Sequence, residues 1–484
     1  MVSDEIVRHK TALTRTELSR PFRRAMADGL LPAGATIMDY GCGRGDDVRH
    51  LTRAGYDCVG WDPSLASAGV RRPSGVVNLG YVINVIEDPA EREAALRLAW
   101  ELATEVLVVS ARLTDEAPDR ARVRPLSDGY VTRLNTFQKL FEQQELRAWI
   151  DRVLGLPSVA AAPGIFYVFR DPSARATFLA SRYQRAPTLP RLRSSERLFA
   201  EHQEVFSALS AFLASRGRLP AREELPEHDA LVAAVGSLTR AFRVLQSASE
   251  PDAWTAVRNA REQDLLVYLA LSRFDRRPNA AELPAALRLD VKAFFGSYSA
   301  ACRQADELLF SLGRPDQVEA TCRSAPFGKL MPDALYVHRE AIAELPILLR
   351  LYEGCARSYI GSVPEATLVK LKRGEPKVSY LAYPSFDTEA HPTLQASTSV
   401  DLRTFRVKRR DYSRYANPPI LHRKETFVPE TYPKRDIFAR LTRLEEDKGL
   451  YSNPELIGTA QGWGDTLKLK NLKLRGHRLM RAER

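Results

Sequence analysis

Cysteine is scarce in this chain: five in 484 residues, Cys42, Cys58, Cys302, Cys322 and Cys355, with no Cys-x-x-Cys pair among them. That spacing excludes a zinc ribbon and a disulfide framework, and it fits a reducing compartment. No run of 18 or more apolar residues occurs, so no segment reads as a membrane-spanning helix. The opening residues, MVSDEIVRHK, lack the apolar core of a secretory signal. Together these absences predict a cytoplasmic protein with no membrane partner and no metal. Internal repeats and low-complexity tracts are missing as well.

What is present is the composition of a folded globular protein, 44% hydrophobic and 27% charged. The length exceeds what one hydrophobic core ordinarily serves, so two or three domains are expected. A formal charge of +11 admits two readings, a polyanionic partner or a solubility charge spread over a large surface.

From about residue 35 to 180 apolar runs alternate with amphipathic ones: TIMDYG, DCVGWD, GVVNLGYVI, EVLVVSAR and GIFYVFRD read as strands. DDVRHLTRAG, the segment from Asp88 to about Thr104, and TFQKLFEQQELRAWIDRVLG read as helices, the last with Phe137, Leu140, Phe141, Leu146 and Trp149 near helical spacing. That alternation predicts a parallel, doubly wound sheet. Residues 1–34 read as a helical lead-in and 187–360 as a helical domain, which includes a serine-capped helix in SSERLFAEHQEVFSALSAFLASRG and His338 on a further helix. Residues 361–484 read as a basic α+β region with a hairpin turning at Arg373-Gly374-Glu375-Pro376.

The informative stretch is Ile37 to Leu51, IMDYGCGRGDDVRHL: strand, glycine turn, helix. A P-loop is excluded because no Lys-Ser or Lys-Thr follows Gly45. A dinucleotide fingerprint has G-x-G-x-x-G with pyrophosphate on the helix N-terminus. Here Gly41, Gly43 and Gly45 are spaced G-x-G-x-G, and Asp46 and Asp47 open the helix, where they would repel a pyrophosphate. They suit a cationic ligand without phosphate. S-adenosylmethionine is one, with a sulfonium and an α-amino group. Asp39 supplies a carboxylate near the amino-acid moiety, and the glycines let the backbone pass beneath the adenosyl group. Asp62, in GWDP, lies 23 residues after Asp39, close to the ~20-residue spacing of ribose-binding acids. Cys42 within the loop, and Asn78 and Leu79 at the next strand end, complete the expected cofactor site. The plainer alternative is that Asp39 and Asp62 only cap turns. Too few residues separate Asp62 from Val76 for a complete strand-plus-helix unit, so the adenine contact is unassigned.

DYGCGRG resembles motif I of class I methyltransferases. More narrowly, VVNLGYVINVIEDPAERE, NTFQKLFEQQELRAWI, APGIFYVFRD, NPPILHRKETFV and the terminal RGHRLMR resemble the DNA phosphorothioation-associated methyltransferases, over nearly the full chain. The resemblance implies an α/β fold: an N-terminal Rossmann-like doubly wound methyltransferase domain, then a helical region and a mixed α+β C-terminal region. It also implies S-adenosylmethionine as cofactor, DNA as substrate and other proteins of a phosphorothioation system as partners. The rival reading is a non-catalytic DNA-binding accessory protein; a third is methylation of a protein or small molecule.

Cytosine-C5 chemistry is excluded, because no cysteine follows the VVNLGY strand. Amino-methyltransferases carry [DN]-P-P-[YFW] there, an amide to hold the amino group and an aromatic to stack on the flipped base. Asn78-Leu79-Gly80-Tyr81 has the amide and the aromatic without the prolines, which makes Asn78 and Tyr81 the candidate catalytic contacts; the alternative is that both serve packing. Asn417-Pro418-Pro419-Ile420 has the prolines but reads as a rigid connection. Basic residues interleave with aromatics in RTFRVKRRDYSRY, so Arg406, Lys408, Arg409 and Arg410 are candidate nucleic-acid contacts. Arg423 and Lys424, in HRKE, are a candidate phosphate clamp, or part of a second centre with His422, Asp387 or His391.

Overall fold

The computed structural model describes residues 6–114, 123–191 and 202–482. They fall into two compact units: Met1–Asp171 with Cys322–Ala341 and Cys355–Arg484, and Pro172–Thr321 with Ile342–Gly354.

The first unit carries two six-stranded sheets. The N-terminal one has the order β2-β1-β3-β4-β9-β8, from β1 (Thr36–Tyr40), β2 (Asp57–Trp61), β3 (Ser74–Gly80), β4 (Ala103–Ser110), β8 (Val159–Ala162) and β9 (Ile165–Phe169). The pairs β1–β2, β1–β3 and β3–β4 are parallel, while β9 runs antiparallel to both β4 and β8. The doubly wound expectation therefore holds for the first four strands and gives way to an antiparallel edge. Central strands buried on both faces read as unbroken apolar runs; Val76, Val77, Leu79, Leu107, Val108 and Val109 are accordingly buried. Between β2 and β3 the chain forms only turns and an Asp62–Ala66 bridge, and among the described residues β2 is an edge strand that no further strand covers.

Among its described residues the lead-in is helical at Arg8–Thr11, a 3-10 turn, and at α1 (Arg20–Ala27). Helices α2 (Asp46–Arg53) and α3 (Pro89–Leu102) follow, with Asp88 capping α3 through its carboxylate to the Ala90 N–H at 2.9 Å. The predicted helix at TFQKLFEQQELRAWIDRVLG starts later than its apolar spacing suggests, as α4 (Gln143–Leu154). Phe137–Gln138 is instead β7, in a three-stranded insert with β5 (Val123–Leu126) and β6 (Gly129–Thr132). The Lys139 N–H goes to Asn84 O (2.7 Å) and the Phe141 N–H to Arg112 O (3.1 Å). Tertiary partners take the donors a helix would need.

The second sheet is antiparallel, in sequential order: β10 (Lys329–Leu330), β11 (Ala334–His338), β12 (Leu368–Lys372), β13 (Lys377–Ala382), β14 (Ala396–Asp401) and β15 (Val407–Asp411). The β12–β13 hairpin turns where expected. Residues 322–341, read as helical domain from sequence, instead supply β10 and β11 to this sheet. His338 thus ends a strand, not a helix, buried against the Phe386 ring at 4.9 Å. A short hairpin, β16 (Leu472–Arg475) with β17 (Arg478–Arg481), closes the chain.

The second unit is helical. It begins at α5 (Pro172–Ser181), within the span 35–180 that the sequence pattern groups with the strands before it, and includes helices Gln203–Arg216 and Ala253–Leu271. The expected serine cap before Gln203 lies outside the described residues. Asp264 is buried there, accepting from Arg350 (2.8 Å), Arg261 (3.1 Å) and the Arg185 N–H (2.9 Å).

Candidate functional site

The loop after β1 is built on left-handed backbone. Gly41, Gly43 and Gly45 have φ of 84°, 53° and 72°, a region that glycine occupies without penalty. A Cβ on Gly41 would also stand 2.2 Å from Val82 Cγ2. The Gly41 and Cys42 N–H groups donate to Trp61 O (2.7 and 3.1 Å), which draws the loop over the end of β2.

Asp39 sits beneath this loop, 4% exposed. Burial pushes its carboxyl up to about 7, against the lowering effect of the Asn78 amide, whose Nδ2 donates to Asp39 Oδ1 at 2.8 Å. Asn78 Oδ1 is buried with no hydrogen-bond partner. A Cβ on Gly80 would come within 2.8 Å of Asn78 Nδ2, so a small residue there leaves this amide its room. In sequence Gly80 is only the spacer between Asn78 and Tyr81; its role depends on the fold of the Asn78 side chain beside it.

Asp62 is partly exposed and already engaged. Oδ1 accepts from the Ser64 and Leu65 N–H groups (2.9 Å each), and Oδ2 from the Gly43 N–H (3.1 Å). A carboxylate has about four lone-pair sites, so roughly one is left, on Oδ2, for a ligand hydroxyl. Asp62 thus caps its turn and faces the site at once.

The glycine loop and Asp62 border a cleft of about 1480 Å³. Gly41, Cys42, Gly43, Asp62 and Tyr81 line it; Asp39, Asn78 and Leu79 do not, and Gly45 lines a smaller adjoining recess. Asn78 as a direct acceptor contact is therefore corrected: it is 2% exposed, lies behind the wall and holds Asp39 instead. Tyr81 keeps its candidacy, at φ 62° in the cleft wall with its N–H on Ser110 O at 2.9 Å. Burial, with Asp39 and Asp62 nearby, pushes the Cys42 thiol up to about 12, so no thiolate nucleophile forms there near neutral pH.

The first turn of α2 serves a purpose unseen in sequence. Asp46 Oδ2 accepts from the Arg15 N–H (2.8 Å) and Asp47 Oδ1 from the Ser19 N–H (2.7 Å). Arg8 reaches Glu87 at 2.8 and 2.9 Å and Glu91 at 2.5 Å. Residues 8–20 are thereby fastened along one wall of the cleft.

The description "methyltransferase domain" belongs to the family model that matches residues 9–149, the span that holds the glycine loop, Asp39, Asp62, Asn78 and Tyr81. This region is a methyltransferase domain. The sugar N-methyltransferase KedS8 of Streptoalloteichus sp ATCC 53650 is 16% identical, over 31% of this chain and 85% of that one, at a TM-score of 0.26. The 1,6-didemethyltoxoflavin-N1-methyltransferase of Burkholderia thailandensis is 14% identical, over 31% and 76%, at 0.25. Magnesium protoporphyrin IX methyltransferase of Synechocystis PCC 6803, solved with bound S-adenosylmethionine, is 18% identical, over 34% and 90%, at 0.22. Scores this low carry nothing about substrate. No curated protein matches the chain.

The methyl donor of such a domain is S-adenosylmethionine, and the residues present fit it. The orphaned Asn78 Oδ1 beside Asp39 suits a cationic amino group, the glycine cradle leaves room for an adenosyl moiety, and Asp62 Oδ2 has capacity for a ribose hydroxyl.

The candidate nucleic-acid residues divide. Arg406, Lys408 and Arg410 are exposed on or beside β15, an edge strand, and Arg409 lines the cleft of the methyltransferase domain. Lys424 is corrected: it is 2% exposed, donating to Phe386 O (2.6 Å), Glu389 O (2.5 Å) and His477 Nε2 (2.7 Å), with the Phe438 ring 4.0 Å away. A phosphate clamp needs an accessible cation, and this one faces the interior. Arg423 lies over Tyr451 at 4.5 Å and pairs with Glu446 at 3.0 Å. The chain does gather His391 and His422, rings 4.4 Å apart, but His391 Nε2 faces Glu445 at 2.7 Å and His422 Nε2 faces Ile457 O at 2.6 Å. Burial pulls His422 down to about 3, so it stays neutral inside the core. Asn417 Oδ1 accepts from the Gln461 N–H (2.9 Å), in keeping with a connection.

Proposed function

We propose that this protein transfers a methyl group from S-adenosylmethionine to nucleic acid, with DNA as the substrate, in the cytoplasm and as part of a phosphorothioation system. The observation that carries the chemistry is the juxtaposition of Asp39, the unpartnered Asn78 Oδ1 and Asp62 around a glycine cradle that opens on a cleft. A drug-sized ligand fills roughly 300–1,000 Å³; the cleft, at about 1480 Å³, has room for a donor and an acceptor together. When bound, the donor supplies an electrophilic methyl on a sulfonium. The chain's task is to align an acceptor for in-line displacement, which positioning alone accelerates strongly. Tyr81, which lines the cleft, is the aromatic residue that would stack on the acceptor.

DNA and the phosphorothioation association rest on the family resemblance in VVNLGYVINVIEDPAERE and NPPILHRKETFV, supported by the basic cleft wall. The accessory reading draws on one observation, the uncovered β2 edge, which leaves the adenine side with turns for a wall. Calorimetry with S-adenosylmethionine followed by labelled methyl transfer to genomic DNA, RNA and protein fractions separates the readings. The expected result is binding and label in DNA. Binding with label in no fraction would support the accessory role, and label in protein alone would overturn the nucleic-acid substrate.

A further inference from the structure

The cleft is lopsided in charge: ten Lys and Arg side chains line it against four Asp and Glu among the described residues. Each of the four acids already has a partner: Asp62 in backbone N–H groups, Asp46 in the Arg15 N–H, Glu91 in Arg8 and Glu17 in Arg23. The cofactor end already holds the acids that a cationic donor needs. The basic excess includes Arg112, just past β4, Arg133 after β6, and Arg409 on β15.

Arg409 is the instructive one, because it comes from the second sheet. Side chains alternate faces along a strand. In β15, Arg409 is half-buried, whereas Lys408 and Arg410 on either side are exposed. The register pairs Arg409 with Thr398, and Lys408 and Arg410 with Ser399 and Ser397. What reads in sequence as a single basic run is split by the pleat into one residue on the cleft and two directed away from it. The carboxylate 3.5 Å from Arg409, that of Glu365, is a partly exposed ion-pair partner, the kind that contributes little and yields readily to a better anion.

We propose that Arg409, with Arg112 and Arg133, forms a subsite for a backbone phosphate of the nucleic-acid strand whose base enters the cleft, and that Lys408 and Arg410 take no part in it. This rests on the methyltransferase reading and deepens it. A guanidinium fork matches a phosphate in two hydrogen bonds, so Arg409 positions the strand and does not touch the reacting atoms.

The test is fluorescence anisotropy of the full chain with a labelled single-stranded 20-nucleotide DNA across a salt series, for wild type, Arg409→Gln and the double variant Lys408→Gln/Arg410→Gln. Losing one phosphate contact is expected to weaken binding about tenfold and to flatten the log–log salt slope by about 0.7 in Arg409→Gln. The double variant should keep the wild-type slope. A mononucleotide in place of the oligonucleotide should bind far more weakly. The proposal is overturned if Arg409→Gln matches wild type, if the double variant loses more than Arg409→Gln, or if the mononucleotide binds as tightly as the strand. Calorimetry with S-adenosylmethionine and labelled transfer to DNA run alongside. Transfer to DNA with an unaffected Arg409→Gln sinks the subsite and spares the methyltransferase reading, whereas absent cofactor binding sinks both.

Discussion

Burial drives two ionisable groups of the larger unit to the same point from opposite sides: Asp39 is pushed up to about 7 and Lys424 is pulled down to about 7. Their surroundings differ in completeness. Lys424 has three donors and three acceptors, Phe386 O, Glu389 O and His477 Nε2. Asp39 has one hydrogen bond, from an amide whose own oxygen has no partner, and it lies under a loop that borders a cleft. A satisfied polar network holds a core together, while an unfinished one beside a cavity waits for a ligand. A shifted pKa alone does not distinguish the two; the count of filled partners does.

The largest effect expected from this contrast is on stability. Lys424→Met leaves two carbonyls and His477 without their donor and should cost about 2–3 kcal/mol in the urea transition that includes the C-terminal sheet. Affinity for S-adenosylmethionine should not change. An altered cofactor affinity with unchanged unfolding would reverse the roles assigned to the two groups. Next in size, Asp39→Asn should weaken cofactor binding about thirtyfold by calorimetry, since hydrogen bonds to a charged group contribute about 1.5–3 kcal/mol. At pH 8 the same variant should be at least as stable as wild type, because it removes a buried charge. A large loss of stability there would mean that Asp39 is a finished structural group after all.

The smallest effects are pH slopes, and their signs differ. A carboxyl raised from 3.8 to about 7 binds more protons folded than unfolded, so its contribution to stability falls as pH rises through that window and is flat above it. A lysine lowered from 10.5 to about 7 binds fewer, so stability rises between about pH 7 and 10.5. If the donor's cationic end requires ionised Asp39, cofactor affinity should climb about tenfold from pH 6 to 8 and level off, a titration of one group centred near 7. A flat profile would separate Asp39 from the ligand.

Much of the cofactor end was legible in the residues themselves. Three glycines after an apolar strand, acids at two successive strand ends and no P-loop lysine are local facts with local consequences, and the loop has the backbone they demand. The missing strand after Asp62 could be counted directly. Helix onset at 137–143 was misjudged because apolar spacing does not reveal that Asn84 and Arg112 claim the backbone of Lys139 and Phe141. The HRKE stretch misled for a related reason: charge in sequence suggests solvent, and only the packing of Phe386, Phe438 and His477 shows Lys424 turned inward.

The sequence by itself determined the strand–glycine–helix unit and the acids flanking it, because φ preference and charge act within a few residues. Tertiary structure decided which of those groups see a cavity and which see one another. Asp46 with Arg15, Arg8 with Glu87, Lys424 with His477 and Arg409 with the cleft are pairings across 31 to more than 300 positions of chain. Whether a charged side chain is exposed, paired or poised depends on the dielectric and partners that folding brings to it, and no local pattern encodes those.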